Sequence, residues 1–222
     1  MYCIVSKLVT NGCSMTWGSG LNPDTRVVDA YPYKLAKLLD AELIDLSKPG
    51  ESCQYVVRTT IEFFIDRLNE DLSDYIVLLQ MPIGLRFEWW KEEQGKADWS
   101  GLIIADSDKK EIIEFFGNHM YECYNTLNNI MQVGSFLKEN NIKYYISTMG
   151  EEFEDISNID KITKRRIEYI ETNYNILGGS LNNSRLAGEA PSKEINIPGD
   201  GHMSEHGHTV AANNIYRLIN DR

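Results

Sequence analysis

The chain has 222 residues, 42% of them hydrophobic and 25% charged. That is the balance of a soluble globular domain, and it excludes a disordered, collagen-like or coiled-coil class. With 22 Lys and Arg against 33 Asp and Glu, the net charge is −11, which offers no electrostatic footprint for nucleic acid or an anionic membrane. No apolar run approaches the ~18 residues that a membrane span needs. We therefore expect neither nucleic acid nor a membrane as partner, and one domain over residues 1–222. Cys3, Cys13, Cys53 and Cys123 lie far apart with no C-x-x-C pair, and Met1 to Lys7 lacks the charged-then-apolar order of a secretion signal. Both features point to reduced thiols in a cytoplasmic protein.

In chain order, Ile4 to Thr10 is a β-branched run ending at Asn11-Gly12, a strand feeding a turn. Pro32 to Leu39 has helical spacing, and Ala41 to Leu46 is a short strand closed by Ser47-Lys48-Pro49-Gly50. Tyr55 to Asn69 carries one apolar stripe, as a packed helix does. Tyr75 to Leu79 is continuously apolar, as suits a strand buried on both faces. A long helix over Phe115 to Glu139, a strand over Lys143 to Ser147, a helix over Lys161 to Asn175 and a last helix over His208 to Ile219 complete the pattern. Gly84 to Lys110 breaks the alternation, holds Trp89, Trp90 and Trp99, and reads as an insertion. Strand–helix alternation predicts an α/β fold: a three-layer α/β/α sandwich on a parallel sheet of about five strands, with ligands bound beyond the carboxyl ends of the strands.

Two clusters could carry chemistry. In Asn11-Gly12-Cys13-Ser14-Met15-Thr16-Trp17-Gly18, a serine follows a strand and a glycine turn. That placement suits a nucleophile beside a backbone donor, and equally a helix cap. In Gly199-Asp200-Gly201-His202-Met203-Ser204-Glu205-His206-Gly207-His208, a histidine sits near a carboxylate, as a general base with an orienting partner would. Alternatively these are solvated loop histidines. A metal reading through His202 and His206 lacks a partner motif such as H-E-x-x-H, so no metal is expected.

Together the clusters resemble the SGNH (GDSL-like) hydrolase superfamily. Gly12-Cys13-Ser14-Met15-Thr16-Trp17-Gly18 is similar to the family's first block, G-D-S-x-T-x-G; Pro49-Gly50-Glu51-Ser52-Cys53, with Val56 and Arg58, resembles the second; His202-Met203-Ser204-Glu205-His206-Gly207-His208 resembles the fifth, H-P-S-x-x-G-H. Cys13 stands where the family has aspartate and Cys53 where it has asparagine. After the third strand, Gln80-Met81-Pro82-Ile83-Gly84 lacks the third block's asparagine, and Gln80 is the nearest amide. Asp200 precedes His202 by two residues rather than the family's three.

The resemblance implies an SGNH, flavodoxin-like sandwich and serine-dependent hydrolysis of an ester, with no cofactor. It implies Ser14 as nucleophile, His202 as base and Asp200 as its orienting acid. The N–H groups of Ser14 and Gly50, with the Gln80 amide, would form the oxyanion hole. Arg86 and Glu88, with the tryptophans, resemble a variant common in bacteriophage and bacterial glycan-related proteins; the same two residues also read as an ordinary ion pair. With Trp17, Trp89 and Trp90 available to stack on a sugar, the expected substrate is a small-molecule or glycan ester carrying a short acyl group. The competing reading is a non-catalytic glycan-binding or assembly module on the same fold.

Overall fold

The computed structural model describes residues 7–82, 86–93, 96–103, 119–149, 160–181 and 195–220. Strand β1 (Lys7–Asn11) leads into a one-turn helix α1 (Ser14–Trp17), then α2 (Arg26–Asp29) and α3 (Tyr31–Leu39). Next come β2 (Glu42–Asp45), α4 (Cys53–Ile65) and β3 (Tyr75–Met81). A hairpin of β4 (Arg86–Glu93) and β5 (Lys96–Ile103) follows, then α5 (His119–Glu139), β6 (Lys143–Thr148), α6 (Lys161–Asn173) and α7 (Glu205–Asn220).

The main sheet has the order β2-β1-β3-β6, all parallel. Beyond β6 the position of a fifth strand is held by one parallel bridge, Ile146 to Ile176, in which Leu177 N–H donates to Ile146 O at 2.8 Å. Among the described residues the expected parallel sheet is therefore present with four full strands and this one-residue extension. The alternating pleat of the strands divides their side chains between two layers. Val9, Val77, Leu79 and Ile146 pack with Val56, Val57 and Phe64 of α4 and Leu127, Ile130 and Val133 of α5. Leu8, Ile76, Leu78 and Tyr145 pack on the other face with Tyr31 and Leu35 of α3 and Ala211, Ala212 and Ile215 of α7. That is the three-layer α/β/α sandwich. Every residue of β3 is buried, which explains its unbroken apolar run.

Gly84 to Lys110, which broke the alternation, contains the antiparallel β4–β5 hairpin, with Trp90 opposite Trp99 in its register. The hairpin docks through Phe87, whose ring lies 5.6 Å from that of Tyr121 on α5, and through a fork from Arg58 of α4 to Glu88, Nε to Oε2 at 2.9 Å.

His208 of α7 is fully buried against α3. Its Nδ1 accepts from the Tyr31 N–H at 3.2 Å, so the neutral ring carries its proton on Nε2, which has no partner among the described residues. Burial, and then the nearby Lys34, push its pKa down to about 4. The unfolded chain, with an ordinary imidazole near 6.5, binds a proton that the folded chain refuses. Stability from this group is therefore complete above about pH 6.5 and falls as the pH drops towards 4, by at most about 3 kcal/mol. Urea denaturation of wild type and His208→Phe across pH 7.5 to 4 checks this. The wild type should lose more stability over that interval, and parallel losses would contradict it.

Candidate active site

The site begins with Asn11 at the end of β1. Its buried amide donates to Val56 O at 3.1 Å and to Thr59 and Thr60 Oγ1 at 2.8 and 3.0 Å, and its Oδ1 accepts the Gly12 N–H at 2.9 Å. Its amide hydrogens are engaged on α4, which locks the turn onto that helix. Gly12 then lets the chain pass: a Cβ there would lie 2.2 Å from Thr16 Oγ1 and 3.1 Å from Gln80 Cβ. Ser14 follows at the first position of α1, partly exposed. Among the described residues its hydroxyl reaches only Cys13 Sγ, at 4.0 Å. Ser14 caps nothing: Cys13 is the N-cap residue, and it makes no side-chain cap bond.

The loop after β2 runs beside this turn, with Lys48 N–H donating to Gly12 O at 3.2 Å. Gly50 sits there at φ +79° with open space where a Cβ would be. A side chain would strain the backbone without meeting any atom. Arg86 of β4 braces the next residue, its Nη1 3.4 Å from Glu51 O, and Lys48 Nζ pairs with Glu51 Oε1 at 2.7 Å. Gln80 comes from the carboxyl end of β3, on the face turned towards α3 and α7. Its Oε1 accepts from Thr16 Oγ1 at 2.7 Å. Among the described residues, the N–H groups of Ser14 and Gly50 and the Nε2 of Gln80 donate to no protein acceptor.

The histidine arrives from the loop before α7. Ile197 N–H donates to His202 O at 2.7 Å, closing a tight turn, and His202 Nδ1 lies 3.0 Å from Asp200 Oδ1. The two-residue spacing thus makes the His–Asp contact. This turn packs on the segment after α1: a Cβ on Gly20, at φ +86°, would meet Ile197 Cδ1 at 2.5 Å, Asp200 Oδ2 at 2.9 Å and His202 Cβ at 3.3 Å. Among the described residues no hydrogen bond joins Ser14 to His202. Gly20→Ala should destabilise the fold by about 1–3 kcal/mol and displace the Asp200–His202 turn. Thermal denaturation and the histidine's NMR signals read the two effects; an unchanged melting temperature would contradict the close packing.

The three histidines occupy different environments. His202 pairs with Asp200, His206 is exposed on α7 and His208 is buried against Tyr31. Among the described residues no three His, Cys, Asp or Glu side chains gather as a metal site would need. Cys13, Cys53 and Cys123 are buried, and among the described residues none forms a disulfide.

Of the other candidates, Trp17 lies under the Arg26 guanidinium, 3.7 Å from its ring centroid, and borders a cleft of about 210 Å³ with Val27, Tyr33 and Asp45. Glu88 is paired with Arg58 of α4, not with its sequence neighbour Arg86, and its side chain is almost fully buried. A larger cleft of about 410 Å³ lies along α4, lined by Gln54, Arg58, Glu88 and Gln132. Neither Ser14 nor His202 lines it, so its size alone is a poor guide to the chemistry. Trp89 and Trp90 fall on β4, but their side chains lie outside the described residues. Missed by the sequence reading was the Thr16 contact with Gln80, which joins positions 64 residues apart. No helix among the described residues is long and apolar enough to cross a membrane.

Neither a family model nor a curated protein matches the sequence. Solved structures do. The esterase EstA from Pseudoalteromonas sp. superposes with a TM-score of 0.56 at 12% identity, covering 97% of this chain and 97% of that one. A catalytic mutant of an acetylxylan esterase from Geobacillus stearothermophilus gives 0.56 at 15% identity, covering 97% and 94%. A member of the lipolytic G-D-S-L family from Veillonella parvula gives 0.51 at 11% identity, covering 94% and 95%. Near-complete coverage in both directions, together with the observed strand order, identifies the architecture: the chain has the SGNH (GDSL-like) hydrolase fold.

Proposed function

We propose that the protein is a serine-dependent ester hydrolase that removes a short acyl group, such as acetate, from a carbohydrate. The observation that carries the reading is the set of free donors around the Ser14 turn, the N–H groups of Ser14 and Gly50 and the Nε2 of Gln80. Backbone and amide donors left unpaired at one end of a sheet are what a developing oxyanion requires. The His202–Asp200 contact supports the rest of the chemistry. A proton on Nδ1, held by Asp200, leaves the Nε2 lone pair free to act as base.

In the proposed reaction Ser14 Oγ attacks the ester carbonyl as His202 Nε2 takes its proton, and the carbonyl oxygen becomes an oxyanion held by the three donors. Collapse breaks the bond to the alcohol, which leaves with the proton from His202. Water then repeats the sequence on the acyl-serine, releasing the carboxylic acid and restoring Ser14. No cofactor takes part.

The glycan ester is supported by Trp17, whose cleft combines an aromatic ring with Asp45, a pairing suited to a sugar's apolar face and hydroxyls. One of the similar structures is that of an acetylxylan esterase. Of the two charged residues proposed for binding, Arg86 lies beside the Gly50 loop, whereas Glu88 is engaged by Arg58. Turnover of a chromogenic acetyl ester, and acetate release from an acetylated xylan, test the proposal with wild type beside Ser14→Ala. Equal rates for the two proteins would leave the fold as a non-catalytic glycan-binding or assembly module.

A further inference from the structure

A three-residue hydrogen-bond chain runs behind Gln80. The Tyr31 hydroxyl, at the start of α3, donates to Thr16 Oγ1 at 3.1 Å, and Thr16 Oγ1 donates to Gln80 Oε1 at 2.7 Å. Tyr31 and Thr16 are both fully buried, and Gln80 is 3% exposed. Burial holds the Tyr31 phenol far above its ordinary range, so it keeps its proton throughout the working pH.

That proton has one acceptor among the described residues, Thr16 Oγ1. Thr16 has a single proton of its own, and with one lone pair filled by Tyr31 it gives that proton to Gln80. A carboxamide receiving a proton must present its oxygen, so its NH₂ points the other way. If the amide were flipped, its N–H would face Thr16 Oγ1 and the threonine proton would have no acceptor. The direction of the chain thus decides which end of Gln80 faces the site. The close pass of Gly12 over Thr16 and Gln80 seats this chain against the turn that carries Ser14.

We infer that Tyr31 and Thr16 are positioning residues that fix the Gln80 amide with its NH₂ towards the oxyanion, so that a glutamine and two buried hydroxyls do the work of the absent third-block asparagine. The inference rests on the ester-hydrolase reading and assigns roles in it to two residues that touch no substrate. Preorganisation is what makes such a donor effective, because an amide that must rotate during the reaction loses much of its stabilising effect.

Kinetics on an acetyl ester with folded variants, each checked by thermal denaturation, test it. Gln80→Ala should lower kcat by about 10²–10³. Thr16→Val keeps the shape and removes the hydroxyl; it should lower kcat about 10- to 100-fold with little change in KM. Thr16→Ser restores the hydroxyl and should stay within about 3-fold of wild type. Tyr31→Phe frees a lone pair on Thr16 Oγ1 that a rotated Gln80 amide could fill, and should cost about 2- to 5-fold. Adding Thr16→Val to Gln80→Ala should cost nothing further, since the group it orients is gone; a merely structural loss would multiply. A Thr16→Val protein as active as wild type, or one whose loss multiplies with that of Gln80→Ala, overturns the relay alone. A wild type with no more activity than Ser14→Ala overturns the hydrolase reading and the relay with it.

Discussion

Replacing Ser14 by alanine should lower kcat on acetyl esters by about 10⁵, towards the residual rate that binding and the oxyanion donors sustain by themselves. The size follows from the chemistry: without the hydroxyl there is no covalent intermediate, and one difficult step is no longer split into two. Folding should be almost untouched. The Ser14 hydroxyl makes only a 4.0 Å contact with Cys13 Sγ among the described residues, and Ser14 is not the helix cap. The stability change should therefore stay within about 0.5 kcal/mol. Loss of turnover with an unchanged melting temperature is the expected pair of results. Loss of both together would assign Ser14 to structure.

His202→Ala should cost a similar factor, about 10⁴–10⁶, because in the proposed reaction His202 is the base that takes the Ser14 proton. Asp200→Asn should cost far less, and exposure decides by how much. In a buried triad, exchange of the acid for its amide costs about 10⁴. Here the Asp200 side chain is 45% exposed and that of His202 29%, so solvent screens the charge and the acid mainly orients the ring. The asparagine oxygen can still accept the Nδ1–H. A loss of about 10- to 100-fold follows, measured as kcat/KM beside His202→Ala. Equal losses in the two variants would contradict this division of labour.

The alternation of β-branched runs with helical stripes made the layers and most of the strand positions readable, because both are set by local periodicity. Strand β3 was legible as buried on both faces from five consecutive apolar residues, and the structure extends it to Met81. The hairpin was not, since its alternation is broken by charged residues. Its ties to the sandwich are long-range: Arg58 and Glu88 are 30 residues apart, and Arg86 reaches back 35 residues to Glu51 O. Ser14, Gly50 and His202 could be named because their motifs are local. The environment of Gln80 could not be read, because Tyr31 and Thr16 reach it only after α1, α3 and β3 have packed. His208 shows the converse: three histidines within seven residues look alike in the sequence, and only burial separates one from the others.

The central claim is that Ser14 is an activated hydroxyl, and covalent labelling measures that directly. A fluorophosphonate phosphonylates a serine only when a base removes its proton and donors hold the new oxyanion, so reaction reports both halves of the proposed site at once. With the folded wild-type protein, mass spectrometry of the digest should find the phosphonyl group on Ser14 and on no other serine, and His202→Ala should abolish most of it. An unlabelled Ser14 in folded protein, or label spread over surface serines and unaffected by His202→Ala, would contradict the account.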